Sequence, residues 1–312
     1  IRRPPRSTQG VSSAASDVYK RQVYWLPMNK LIFTILGLFF GCFVFSQNNL
    51  LDEISSEYSY KDEFEMPAFK AMKVVNNQST KLAQKGDLYL YVGHRFGTIK
   101  GGVESLFGLD YANTKIEILY GLINQVQVGF SRESFKKTYN LHVKYGIKSQ
   151  TTSFPLSITA YNSVNLDTSL DENQYPNLNF NERYVYISQL LISRRFNDNF
   201  SFQLAPSIVK YNFLTNQFKN DFNYILNYGS RLKISKRSSF NIDYSHHLNR
   251  LNNSEEKNVL SLGIDMETGG HVFQLLFSNT QASDEAGVLT GAEAVSYTHL
   301  RAHETEADLV CR

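Results

Sequence analysis

From Gly86 onward the chain alternates apolar and polar residues in segments of roughly ten, each ended by a turn. Residues 222–234 place Phe222, Tyr224, Leu226, Tyr228, Leu232 and Ile234 on one face, and Asn223, Asn227, Gly229, Arg231 and Lys233 on the other. Residues 139–148 repeat the pattern, with Tyr139, Leu141, Val143, Tyr145 and Ile147 set against Asn140, His142, Lys144, Gly146 and Lys148. Successive side chains of a strand point to opposite faces, so a period of two over this length specifies β-structure and excludes helix.

Eleven such segments fall near 87–96, 113–122, 125–132, 138–148, 154–163, 183–195, 199–211, 221–234, 239–248, 258–266 and 271–279. Their connections alternate too. Short turns at 123–124, 149–153, 196–198, 235–238 and 267–270 interleave with longer polar loops at 97–112, 133–137, 164–182, 212–220, 249–257 and 280–294. A meander with one tight rim and one loop-bearing rim has the shape of an outer-membrane barrel, whose short turns are periplasmic.

The strands have the length that crosses a bilayer when tilted. Tyr and Phe gather near strand ends, as at Tyr120, Phe130, Tyr139, Phe196, Phe200, Tyr211 and Phe240, which suits interfacial girdles. Charged and amide side chains sit mid-strand on the polar face, costly in a dry core and tolerable in a wet lumen. A secreted soluble β-protein is the alternative. The expected fold is therefore all-β: an up-and-down antiparallel transmembrane β-barrel of about 12 strands. Eleven strands leave an open edge, so the last, descending strand is expected to be missing from this chain.

Both ends read as foreign. Residues 1–27 and 295–312 resemble translated sequencing-adapter read-through, giving a non-native, untranslated leader and a non-native tail. Between them, Met28-Asn29-Lys30 and the apolar run Leu31–Phe45 make a signal peptide over 28–46, cleaved after Ser46. Residues 47–85 open with Asp52, Glu53, Glu57, Asp62, Glu63 and Glu65 and form an N-terminal periplasmic arm or plug; the barrel occupies 86–294. The whole sequence holds 32 basic and 29 acidic residues. Seven basic and four acidic residues lie in the two foreign ends and one lysine in the signal, leaving 24 and 25, a net charge of −1. That balance offers nothing to nucleic acid. Cys42 and Cys311 also fall in the flanks, which excludes disulfides, thiolate chemistry and cysteine-ligated metals from the mature chain.

Several strings resemble an uncharacterised outer-membrane barrel family, domain of unknown function 5777. They are Phe69-Lys70, Val74-Val75-Asn76, Ser79-Thr80-Lys81, His94-Arg95-Phe96-Gly97-Thr98-Ile99, Phe107-Gly108-Leu109-Asp110 and Tyr120-Gly121. Leu190-Leu191-Ile192-Ser193-Arg194-Arg195-Phe196, Ala205-Pro206 and Glu267-Thr268-Gly269-Gly270-His271-Val272-Phe273-Gln274 follow. The resemblance spans roughly 66–290. It implies an outer-membrane location, a barrel fold and one further Gly- and aromatic-rich strand ending in Phe; it implies no activity.

Strand parity nominates Lys115, Glu117, Lys144, Lys148, Arg194, Arg231 and Lys233 as lumen residues, either lining a pore or pairing across a filled interior. No metal is expected from His94, His142, His246, His247 and His271, since adjacent His246 and His247 point to opposite faces. No cofactor is expected either. Ser245, His247 and Asn249 share a face beside Asp243, but alternate side chains lie roughly 7 Å apart, too far for direct hydrogen bonds. Glycines at 93, 97, 129, 146, 229 and 263 mark bends or close packing, and Gly269-Gly270 a tight hairpin. The functional expectation is a non-enzymatic barrel in contact with outer-membrane lipid, acting as a passive or gated channel for small solutes. The alternatives are a structural or partner-binding barrel displaying 97–112 and 164–182, and a lipid-directed hydrolase using Ser245 and His247. The sequence sets no oligomeric state.

Overall fold

The computed structural model describes residues 66–214, 221–251, 254, 256–268 and 271–291, together with the backbone of 301–306. The leader, the signal peptide, the arm up to residue 65, the Gly269-Gly270 turn and much of the tail lie outside the described residues. The alternating segments form antiparallel strands: β1 Leu88–Phe96, β2 Ala112–Ile123, β3 Val126–Glu133, β4 Tyr139–Lys148, β5 Ser157–Leu166 and β6 Tyr184–Arg195. They continue with β7 Phe200–Tyr211, β8 Phe222–Lys233, β9 Ser238–His247, β10 Val259–Thr268 and β11 His271–Ser278. Each pairs with its chain neighbours in a meander, and a strand β12, Arg301–Glu306, pairs with both β11 and β1 to close the barrel.

The distribution of polarity is that of a membrane barrel. Ile116, Ile118, Leu141, Val143, Leu260, Leu262 and Ile264 are exposed on the outer surface. Gln127, Asn140, Thr159, Gln203, Asn227, Asn241 and Asp243 are buried, pointing inward from the same or adjoining strands. A soluble sandwich places these classes the other way round. Lipid takes the apolar face without cost; β12, which lies within the tail read as foreign, covers Leu90–Arg95 of β1 and His271–Leu276 of β11, so the expected native closing strand is not among the eleven alternating ones.

Local chemistry explains where the strands depart from a regular period. β5 begins three residues later than the alternation suggests, because Thr151 Oγ1 accepts the Phe154 N–H at 3.1 Å and Pro155 has no N–H to give. Between β6 and β7, Gln189↔Ser207 and Ile192↔Leu204 hold one register, but the two pairs between them are missing. Pro206 occupies that gap and donates no hydrogen bond to β6. β12 has six residues where its neighbours have eight and nine. Its positions 304 and 306 stand in register with Val92 and Leu90, which lie on the lipid side of β1, so β12 lacks the apolar alternation of the other strands.

Two segments fold inside. Residues 66–85, ahead of β1, run through the lumen, with Ala68, Phe69, Met72, Val74 and Val75 buried. On the loop-bearing side, the connection after β11 also turns inward instead of outward. Its residues 282–290 are buried and include a short helix α1, Glu285–Thr290, capped by Asp284, whose carboxylate accepts the Gly287 N–H. The expectation of an external loop at 280–294 is thereby corrected over its described part. Val185, Ile187, Leu191, Val209 and Ile225 make an apolar patch on the inner wall, and Ala286 and Leu289 of α1 cover it. Burying such side chains is worth about 1.5–3 kcal/mol each for the large ones, which is enough to draw a loop inward.

Candidate functional site: the occupied lumen

The segment 66–85, here called the arm, makes a tight hairpin at its centre. Lys73 bridges Gln78, the Val74 N–H donates to the Asn77 carbonyl at 2.9 Å, and Ser79 N–H donates to Met72 at 3.0 Å. This turn aims three successive N–H groups at one carboxylate. Asp243 Oδ2 on β9 accepts from Val75 at 3.2 Å, Asn76 at 2.7 Å and Asn77 at 3.0 Å. Consecutive backbone donors form an anion-binding nest, and here the anion is supplied by the barrel wall.

Wall glutamines bond to further parts of the arm's backbone. Gln203 accepts from Thr80 N–H at 3.1 Å and donates to the Gln78 carbonyl at 2.7 Å. Gln274 donates to Val74 O at 2.9 Å, and Gln127 accepts from Ala83 N–H at 2.9 Å. Lys144 donates to the carbonyls of Met72, Ser79 and Lys81 at 3.3, 3.1 and 3.2 Å. A segment that never joins the sheet thus has its buried peptide groups satisfied by side chains, as burial requires. Steric room comes from glycine. At Gly121 a Cβ would collide with the Gln84 carbonyl, while Cβ atoms at Gly229 and Gly263 would stand 3.1 and 3.2 Å from Val74 and Val75.

An ionic cluster joins the arm, the wall and α1. Lys73 Nζ lies 3.0 Å from Glu117 Oε2 and 3.0 Å from Glu285 Oε1, and Lys115 Nζ lies 2.6 Å from Glu285 Oε2. All four side chains are buried. Burial alone would push the Glu285 carboxyl up; Lys115 and Lys73 outweigh it and hold that group well below the usual carboxylate range. Arg95 on β1 makes a second junction, donating to Asn76 Oδ1 at 2.6 Å and to the carbonyls of Thr280 and Ala282. Glu133 accepts from the Ser283 N–H at 3.1 Å. The arm and the α1 segment are therefore locked to each other as well as to the wall.

Beside the arm, at the short-turn rim, lies a cavity of about 790 Å³. Arm residues 66–69 and 80–84 form one side, and residues of the β2–β3 turn, β4 and β5 form the other. Among the described residues no cluster of metal-ligating groups occurs.

Residues 69–299 match the family model described as "Membrane bound beta barrel domain (DUF5777)". The chain belongs to this family. It is a membrane-bound β-barrel. Similar solved structures include the NanC porin, 10% identical with a TM-score of 0.47 over 71% of this chain and 100% of that one. The KdgM porin is 9% identical, with a TM-score of 0.46 over 70% and 98% of the two chains. The COG4313 outer membrane channel from Pseudomonas putida F1 is 12% identical, with a TM-score of 0.46 over 73% and 98%. A comparison with curated proteins finds no match.

In this DUF5777 barrel the residues nominated by strand parity are distributed as follows. Lys115, Glu117 and Lys144 are buried inside, in the contacts just described. Arg231 is buried on the inner face of β8, 3.4 Å from Glu267, and Lys233 lies two residues further along at the rim. Arg194 is corrected. It lies on the outer face of β6, above the Phe196 ring, and Ser193 is its buried neighbour. Lys148 follows the irregularity between Gly146 and Lys148, in register with Ile158; it is exposed at the rim above the Phe154 ring, where it lines the cavity beside the arm.

Ser245 and His247 both point inward, but the structure does not bring them together. Ser245 Oγ accepts from Asn77 and Asn227 at 3.2 and 3.1 Å and donates to Val288 O, while His247 Nδ1 accepts from Arg250. Strand parity did not nominate Lys73, Arg95 and Glu285 as lumen groups, and it named Asp243 only beside Ser245 and His247. The strings Val74-Val75-Asn76 and His94-Arg95-Phe96, singled out by the family resemblance, held part of that signal.

Proposed function

We propose that the protein is a gated channel for small solutes, closed in the state described. One observation carries this reading: a hydrophilic inner wall surrounds a segment of the chain that is not part of the sheet and is held by discrete polar contacts. A barrel serving only as a scaffold gains nothing from keeping Lys73, Glu117, Lys115 and Glu285 in its interior, since apolar packing of the same volume is as stable or more so. Ion pairs of this kind suit a closure that must release. Opening consists of withdrawing the arm, which exposes the wall groups it now occupies. In this reading the barrel has no enzymatic activity, and Ser245 and His247 serve to seat the arm and the loop near Arg250.

Leakage of a small neutral sugar into proteoliposomes tests the proposal. Lys73→Met leaves two buried carboxylates short of a partner and should raise leakage about ten-fold or more above the near-background native rate. An unchanged rate with a folded barrel would contradict a gate held by this cluster. A second reading, a partner-binding barrel, draws on the loop between β1 and β2. That loop exposes Val103, Leu106, Phe107 and Tyr111 at the rim opposite the short turns.

A further inference from the structure

The cavity beside the arm differs electrostatically from the rest of the interior. Inside the barrel, Lys73, Lys115 and Arg231 face carboxylates, and Lys144 is saturated by three carbonyls. Lys81 and Lys148 line the cavity, and neither has a carboxylate partner among the described residues. Lys148 rests above the Phe154 ring, 5.8 Å from its centroid, a contact that leaves its N–H donors available. No described residue lining the cavity is acidic. Gln84, Asn124 and Gln125 also line it; they are exposed, and their side-chain amides have no hydrogen-bond partner among the described residues.

Two lysines with no carboxylate partner and three amide side chains with no hydrogen-bond partner among the described residues, around a cavity of about 790 Å³, form a recognisable chemical combination. That volume falls within the usual range for small-molecule sites, roughly 300–1,000 Å³. Lysines supply charge-assisted hydrogen bonds to an anionic group, and the amides supply paired donor and acceptor sites suited to hydroxyls. We infer that this cavity is a binding site for a small hydroxylated organic anion, open to the short-turn side of the barrel, which is periplasmic by the general rule for such barrels. Because arm residues 80–84 form one of its sides, an occupant bonded to Lys81 touches the gate itself. Naming a transported substrate class in this way rests on the channel reading, whereas the existence of the site does not.

Calorimetric titration of the full chain in detergent tests the site, with gluconate as the probe and sorbitol as its neutral counterpart of equal length. Gluconate should bind, sorbitol should not, and the affinity should fall as salt is raised. Lys81→Gln and Lys148→Gln should each weaken gluconate binding about ten-fold. Lys236→Gln, the same charge change in the β8–β9 turn outside the cavity, should leave it unchanged. No gluconate binding, equal binding of sorbitol, or an equal loss in Lys236→Gln would each overturn the proposal. Since titration needs no conductance, a barrel that binds gluconate but never conducts would retain the site and refute the channel, and the converse result would do the opposite.

Discussion

Asp243 shows how much a single side chain organises here. Its carboxylate replaces three backbone acceptors that the arm, lying outside the sheet, cannot find for itself. Asp243→Asn keeps the shape and removes the charge. Hydrogen bonds to charged groups contribute about 1.5–3 kcal/mol, so the Val75, Asn76 and Asn77 amides should exchange with solvent about ten- to a hundred-fold faster while the β9 amides keep their protection. Equal loss across β9 would mean that Asp243 supports the strand and not the arm. At this scale the sequence was partly legible. Parity, like the structure, puts Lys115, Glu117 and Lys144 on the inner face, because β2 and β4 alternate without interruption around these positions and lose the period only towards Gly121 and Gly146. It failed on β6, where Val185, Ile187 and Leu191 make the inner face as apolar as the outer one. Arg194 then looked like a lumen charge, although its long stem lets it lie along the outer surface with its head over Phe196.

Among the elements, the strands were readable and α1 was not. Alternation over ten residues is a local property, whereas α1 has six residues and folds inward only because strands distant in sequence assemble an apolar patch beneath it. The arm is similar: its hairpin is local, but nothing in residues 66–85 announces Gln203, Gln274 or Lys144 as partners. Proline makes a testable exception within the sheet. Pro206 faces outward and interrupts the β6–β7 ladder without shifting its register. Pro206→Val should complete one ladder hydrogen bond, worth about 0.5–1.5 kcal/mol. The temperature of the heat-modifiable gel shift should therefore rise by a few degrees; a fall would show that β7 needs the proline's fixed φ more than the missing bond.

For the whole molecule, alternation of strands and of connection lengths was enough to imply a barrel in lipid, and the outward apolar belt and the antiparallel order of β1 to β11 agree with it; the strand that closes the ring, β12, comes from the tail read as foreign. What fills the barrel was beyond the pattern, because occupancy depends on contacts between residues up to 212 positions apart, as between Lys73 and Glu285. That contact also links the two halves of the closure, since α1 and the arm share Glu285 and Arg95 as junctions. Removing one should loosen the other, and a lumen emptied of the arm presents Gln127, Lys144, Gln203, Asp243 and Gln274 to water. Single-channel recording in planar bilayers, comparing the native chain with one lacking residues 66–85, addresses this most directly. The native barrel should be silent or open only rarely, and the armless barrel should give steady discrete steps. An armless barrel that is folded by its gel mobility and still silent would contradict the account of the arm as the gate.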